Sequence, residues 1–313
     1  MSEFEQTPFE PELEPTPALD TAHGPILEDA PELFEAWSRP DPVPAVRIPH
    51  LGHLGLLSAL LTAGWIVAMI AMAIALHFHF QGVSTFEQVK TNVQYLLGSE
   101  AILYFATFAL GYFIFPKVWK KSLFEGMQWR GATALRLFWL LLLTAVGCFT
   151  LAVLDDRFLP GPQHAPIEDF FRSPGAAWLM FAFGVTIAPV FEEIGFRGFL
   201  LPALATAYDW IAERITAKPP RPLDENGHPQ WSMPAMIIAS LATSLPFGLL
   251  HADQTGWSIG PFVLIVVVSL VLCVVRLGTR SLAASTLVHA CYNSLLFITT
   301  LISSGGFHHL DKM

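Results

Sequence analysis

Seven stretches of this chain are long and apolar enough to cross a lipid bilayer, and this restricts its possible folds more than any other feature. Residues 54–76, 137–154, 175–191, 233–250 and 257–275 contain no Asp, Glu, Lys or Arg. Two further stretches complete the set: 93–115, interrupted only by Glu100, and 281–307, interrupted only by His289. A ~30 Å hydrocarbon core takes about 20 helical residues to cross. Backbone groups inside it must be satisfied within the protein, which leaves helices or a closed barrel. Barrel strands are shorter and alternate in polarity, so unbroken runs of this length are helical. The expected fold is therefore all-α, a polytopic membrane helical bundle of about seven transmembrane helices. Only 14% of the residues are charged, against about 25% in ordinary soluble domains. A soluble enzyme, a nucleic-acid-binding domain and a β-barrel are excluded.

The net charge of −9 belongs to one end of the chain. Residues 1–50 hold eleven acidic groups against Arg39 and Arg47, and the remainder is balanced at fifteen against fifteen. With ten prolines as well, this segment cannot bury enough apolar surface to offset its ordering entropy. It reads as a disordered, acidic, Pro-rich tail. It has neither the basic start nor the short apolar run of a cleaved signal peptide, so the first span is expected to remain as an anchor. The chain then divides into N-terminal transmembrane helices over 51–174, a second membrane core over 175–303 and a C-terminal tail over 304–313. Cys148, Cys273 and Cys291 lie in apolar runs without a CxxC spacing, which reads as core filling and not a disulfide framework.

Short cytoplasmic loops retain Lys and Arg. Placing the N-terminus inside puts twelve of these residues on the cytoplasmic side, among them Lys117, Lys120, Lys121 and Arg214, and four outside. The expectation is an integral, multi-pass membrane protein with a cytoplasmic N-terminus, in the cell inner membrane if the source is bacterial.

The chemistry-bearing residues follow the fourth run. Glu192, Glu193 and Arg197 come directly after seventeen uncharged residues, and charges at such depth are functional candidates by default. On a helix Glu193 and Arg197 are i,i+4 neighbours with the acid first. Glu192 is rotated about 100° away and cannot share that guanidinium equally. One carboxylate is neutralised and the other is left over. The plain alternative, a buried structural cluster at the end of a span, fits these three residues equally well. Two later spans shift the balance. Phe247-x-x-x-His251 ends the fifth run just after Pro246, which loosens a helix. His289-x-x-x-Asn293 places an imidazole and a carboxamide on one face of the last. A single membrane histidine is usually an interhelical hydrogen-bonder; an acid, two histidines and an amide on three spans are less easily coincidental.

In that order these motifs resemble the CPBP family, also called the Abi or CAAX-protease family, of intramembrane proteases related to CAAX prenyl endopeptidases. The resemblance covers about residues 175–303. It implies an intramembrane endopeptidase acting on membrane-embedded or lipid-anchored proteins, including prenylated CAAX-type C-termini, within the bilayer and with no nucleic-acid partner. It further implies that Glu192 and His251 hold and deprotonate a water, and that His289 and Asn293 donate to the tetrahedral oxyanion. Glu193, Arg197 and Phe247 would support them. Such families have also been classed as metalloproteases, and Glu192, His251 and His289 could supply three ligands to zinc. The favoured reading requires no cofactor, since no HExxH is present. No GxGD aspartate pair and no Gly-x-Ser-Gly occur either, which makes aspartyl and rhomboid-like chemistries poor fits. The competing reading is a non-catalytic membrane scaffold or regulator that keeps the cluster for packing; a transporter would call for an inverted repeat or matched broken helices.

Other residues have plainer expectations. His77 and His79 sit at an interface and His308 and His309 in a terminal tail. Asp253 reads as a loop residue, while Glu100 reads as a hydrogen-bonder inside the bundle or a substrate contact. The segment Lys218–Pro222 reads as a stiff linker after an amphipathic extension around Trp210, Ile211 and Ile215. If the fourth helix ended at Phe191, Glu192 would lie about 25 Å from its start and His251 about 27 Å along an opposed helix, and the two would not meet. A fourth helix continuing to about Ile215 resolves this. His289, about 12 Å from the cytoplasmic start of its span, suggests a cavity opening toward the cytoplasm.

Overall fold

The computed structural model describes residues 47–159, 165–171 and 173–307. The acidic tail as far as residue 46, and the end of the chain with His308 and His309, lie outside the described residues. Seven helices are long and apolar enough to span a membrane: α1 (Leu51–His77), α2 (Val93–Trp119), α3 (Phe138–Phe158), α4 (Pro174–Thr216), α5 (Met233–Leu250), α6 (Ile259–Thr279) and α7 (Leu282–Ser303). No strand occurs among the described residues, only an isolated bridge between Leu223 and Pro229. The all-α bundle with seven spans is as the uncharged runs required.

Polar residues flanking the runs start the helices. The Asn92 side chain accepts from the backbone N–H groups of Gln94 and Tyr95 at the head of α2. Ser173, Ser232 and Ser281 do the same for α4, α5 and α7. Each satisfies a donor that a helix N-terminus otherwise leaves unpaired.

In a bilayer the helices gain little from apolar burial, so close approach and interhelical hydrogen bonds determine how they pack. Helices α1 and α2 meet at Gly64, where an added Cβ would fall on the Thr107 hydroxyl and within 2.9 Å of the Leu103 carbonyl oxygen. Helix α4 is central. Its Ile194 and Phe199 pack with Leu57 and Leu60 of α1, Phe115 and Trp119 of α2 and Leu282 of α7. Its Leu201 and Ala205 pack with Ala235 and Ala239 of α5 and Cys273 of α6. A third cluster joins α3, α6 and α7 through Leu141, Ala145, Cys148, Leu272, Val288 and Tyr292. The three cysteines are all unpaired: Cys148 and Cys273 are buried, Cys291 partly so, which agrees with core filling.

Helix α4 runs for 43 residues, which resolves the depth problem in favour of the long helix. Beyond Leu201 it carries the expected amphipathic extension: Leu201, Ala203 and Ala205 are buried while Trp210, Ile211 and Ile215 are exposed. Asp209 on this extension accepts from the Ser232 backbone N–H at 2.8 Å and from its hydroxyl at 2.5 Å, fixing the start of α5. Glu213 accepts from Arg47 at 2.7 Å and from the Arg221 N–H at 2.8 Å, tying the head of α1 and the linker to the same stalk.

Two wide, π-helical turns interrupt α4, at Phe183–Ile187 and Ile194–Leu200. Both have an identifiable cause. A proline ring clashes with the carbonyl four residues earlier; for Pro189 and Pro202 those carbonyls belong to Val185 and Gly198, inside the two wide turns. The extra residue in each turn relieves the clash and lets α4 continue, and such turns occur often at functional sites. Glu192 and Glu193 lie on the regular segment between them.

Candidate active site

The second wide turn and its flanks carry the charged cluster. Glu193 and Arg197 are both fully buried and pair at 2.8 Å from Arg197 Nη1 to Glu193 Oε1. Nη2 of Arg197 donates to the Ser269 carbonyl at 3.0 Å and to its hydroxyl at 2.6 Å, bridging α4 to α6. The Phe247 ring lies over the guanidinium, 4.5 Å from Cζ to the ring centroid, a favourable cation–π placement in a dry site. The i,i+4 pairing read from the sequence is therefore present, and both terminal nitrogens of Arg197 are engaged.

Glu192 points elsewhere. Its side chain retains 11% exposure where that of Glu193 has none, so it is the carboxylate that meets open space. Glu192 Oε2 lies 4.0 Å from His251 Nε2 and 3.7 Å from His289 Nε2. Both gaps exceed a direct hydrogen bond. One water at hydrogen-bond distance from all three atoms fits such spacing.

Surrounding contacts set the state of each ring. The Phe247 carbonyl oxygen lies 2.9 Å from His251 Nδ1. A carbonyl only accepts, so Nδ1 carries the proton and the Nε2 of a neutral His251 offers a lone pair toward Glu192. His289 Nδ1 lies 3.3 Å from Glu193 Oε1, and a carboxylate again makes Nδ1 the donor. To donate from Nε2 as well, His289 must be the imidazolium, whose charge Glu193 faces. Phe247 packs against both imidazoles, with ring centroids 4.8 Å from His251, 5.8 Å from His289 and 5.0 Å from Phe196.

Asn293 sits one turn beyond His289 and faces the same helix, but its amide is engaged. Nδ2 donates to the Gly184 carbonyl at 2.8 Å, within the first wide turn of α4. One of its two N–H groups is thereby occupied in holding a carbonyl that the widened turn presents.

Among the described residues, no group of three His, Cys, Asp or Glu is spaced to hold a metal ion. Tetrahedral zinc ligand atoms stand about 3.3 Å apart for bonds of roughly 2.0 Å, closer than the 3.7 and 4.0 Å separations here. The zinc set of Glu192, His251 and His289 does not fit as placed.

The cluster borders a cavity of about 540 Å³. One side is formed by Phe191, Glu192, Gly195 and Phe196 of α4 with Leu250, His251 and Gln254 at the end of α5. The facing wall is formed by Leu61, Trp65, Ala68, Met69 and Met72 of α1 and by Ser99, Glu100, Leu103 and Tyr104 of α2. These residues occupy the middle to later part of α1 and the early to middle part of α2. Depth along α7 measures distance from one end of a helix and does not by itself give the direction of an opening.

Several contributors carried weaker sequence signals. Ser269 is the one hydroxyl in the apolar run from Phe262 to Val275, and Pro189 and Pro202 flank the acidic motif on either side. Glu100 accepts from the Tyr104 hydroxyl at 2.7 Å, so its hydrogen-bonding role inside the bundle is present. Asp253 accepts from Trp257 Nε1 at 2.7 Å in an exposed loop, and His77 and His79 are exposed at the end of α1. Residues 256–260 read Gly-Trp-Ser-Ile-Gly, yet Ser258 stands at the head of α6 and not on the strand-to-helix turn that makes such a serine a nucleophile.

The model of the type II CAAX prenyl endopeptidase Rce1-like family matches residues 174–295. That stretch runs from the first residue of α4 into α7 and contains Glu192, Glu193, Arg197, Phe247, His251, His289 and Asn293. The family resemblance of the motifs is thus shown over these helices. No curated protein and no solved structure gives a significant match.

Proposed function

With residues 174–295 an Rce1-like membrane core, we propose that the chain is an intramembrane endopeptidase that cuts membrane-embedded or lipid-anchored protein segments, including CAAX-type C-termini. The observation that carries this reading is the placement of Glu192 Oε2 at 4.0 and 3.7 Å from two imidazole Nε2 atoms on the border of a cavity. A water between Glu192 and His251 donates to both and attacks the scissile carbonyl carbon as it loses a proton to one of them. The oxyanion accepts from protonated His289, with the second N–H of Asn293 as a further donor. The proton then passes to the departing amine, leaving a carboxylate and an amine as products. Glu193 orients the His289 ring through its contact with Nδ1. A scaffold that kept these residues for packing alone would pair both carboxylates, yet Arg197 is engaged by Glu193 and Ser269 and leaves Glu192 to the cavity.

The test is product analysis by mass spectrometry, with the protein in liposomes offered prenylated CAAX peptides and a library of membrane-protein segments. Cleavage is expected, with Glu192→Gln lowering it by roughly 10²–10⁴-fold at unchanged thermal stability. Dialysis against a strong chelator is expected to leave it unchanged. Parent-like turnover of Glu192→Gln would overturn the role of Glu192, and activity lost on chelation and restored by stoichiometric zinc would make the enzyme a metalloprotease.

We further propose the cytoplasmic N-terminus that the Lys and Arg distribution favours. Gln254 is exposed at the cavity end of α5. In a Cys291→Ala background, Gln254→Cys should react with a membrane-impermeant maleimide in right-side-out cells. Labelling only in inside-out vesicles would reverse the topology and give the cavity a cytoplasmic mouth.

A further inference from the structure

The α1–α2 wall of the cavity lies outside the family match, and it bears one carboxyl. Glu100 is the only Asp, Glu, Lys, Arg or His that this wall contributes to the cavity lining; its neighbours there are Leu61, Trp65, Ala68, Met69, Met72 and Leu103. Its position is fixed from two sides. The Tyr104 hydroxyl donates to Oε1 at 2.7 Å, and the Tyr104 ring stacks on Phe191, 5.0 Å between centroids and 17° between planes. Phe191 immediately precedes Glu192. The α2 carboxyl is therefore held in register with the catalytic helix and is not a loose surface group. Among the described residues no Lys or Arg forms an ion pair with Glu100. Arg197 is fully buried and engaged by Glu193 and Ser269, and no Lys or Arg lines the cavity.

A partly dry cavity with carboxyl acceptors in its lining and no Lys or Arg discriminates by charge. It favours a positively charged donor, which can bond a carboxylate oxygen, and it disfavours a second negative group. We propose that Glu100, oriented by Tyr104, makes this cavity selective for a substrate segment bearing a basic side chain, Lys or Arg, close to the scissile bond. The proposal rests on the peptidase reading for what happens next. Recognition itself needs only the cavity and the carboxyl.

Binding and cleavage can therefore be tested separately. Apolar 20-residue Leu/Ala peptides with one central Lys, norleucine or Glu, amidated at the C-terminus, would be titrated into liposomes containing the Glu192→Gln protein, and the same three would be offered to the parent enzyme. Expected is a preference for Lys over norleucine of about tenfold or more, and for norleucine over Glu. Glu100→Gln preserves size and can still accept from Tyr104; with it, the Lys peptide should bind no better than norleucine. Tyr104→Phe should retain part of the preference. Equal affinities for Lys and norleucine, no measurable binding of the Lys peptide, or a Lys preference that survives Glu100→Gln would each overturn the proposal. If Lys selectivity appears in binding and the parent cuts none of the peptides, the proposal stands and the peptidase reading loses support; if the parent cuts all three equally well, the reverse holds.

Discussion

On the α4–α7 side of the cavity, Arg197, Glu193, Ser269 and His289 are tied by hydrogen bonds across three helices, whereas the facing α1–α2 side presents apolar side chains and the Glu100–Tyr104 pair. The contrast shows how a membrane protein divides its work. Lipid gives helices little apolar reason to pack in one register rather than another, so positions that must hold to a fraction of an ångström are fixed by buried charge and hydrogen bonds. A wall that only shapes the space has no such requirement. Residues on the two sides should therefore respond differently to truncation.

Arg197→Ala should have the largest effect on stability. It takes the guanidinium from the fully buried Glu193 carboxylate, leaving it only weaker partners such as His289, and removes the bridge to Ser269, a loss of about 3 kcal/mol or more. Activity should fall with it, because Glu193 Oε1 is also the atom facing His289. Thermal unfolding in detergent, measured beside turnover, checks both. Unfolding within about 1 kcal/mol of the parent would show that the α4–α7 side is no more rigidly specified than its opposite.

The same division governs what could be read from the sequence. The seven spans were legible because a charge-free run of some twenty residues matches the thickness of a hydrocarbon core, and the Glu193–Arg197 pair because helical spacing alone brings the two together. Glu192, His251 and His289 could be nominated from three spans, but spacing along a chain contains nothing about distances between helices. The engagement of Asn293 by Gly184 was illegible for a related reason: it depends on a wide turn in another helix, 109 residues away in the chain. The prolines that account for the wide turns, Pro189 and Pro202, were visible and could have signalled them. The α1–α2 wall of the cavity could not be read at all, because an apolar wall leaves no motif.

The smallest stability effect is expected on that wall, at Met69. Its side chain lines the cavity and is only partly buried, so Met69→Ala enlarges an existing space more than it empties a packed one, and the cavity term that makes core truncations costly is mostly absent. Unfolding should shift by no more than about 1 kcal/mol. The change should appear in substrate choice. Extra room beside Glu192 and His251 should raise kcat/KM for segments with a Trp near the cut relative to those with Leu, by roughly tenfold, without lowering turnover of the smaller substrate by a comparable factor. A loss of stability near that of Arg197→Ala would place Met69 in the rigid framework and erase the distinction between the two sides. Unchanged Trp-to-Leu selectivity would mean that the α1 face does not touch the substrate, and would leave recognition to α2 and α4.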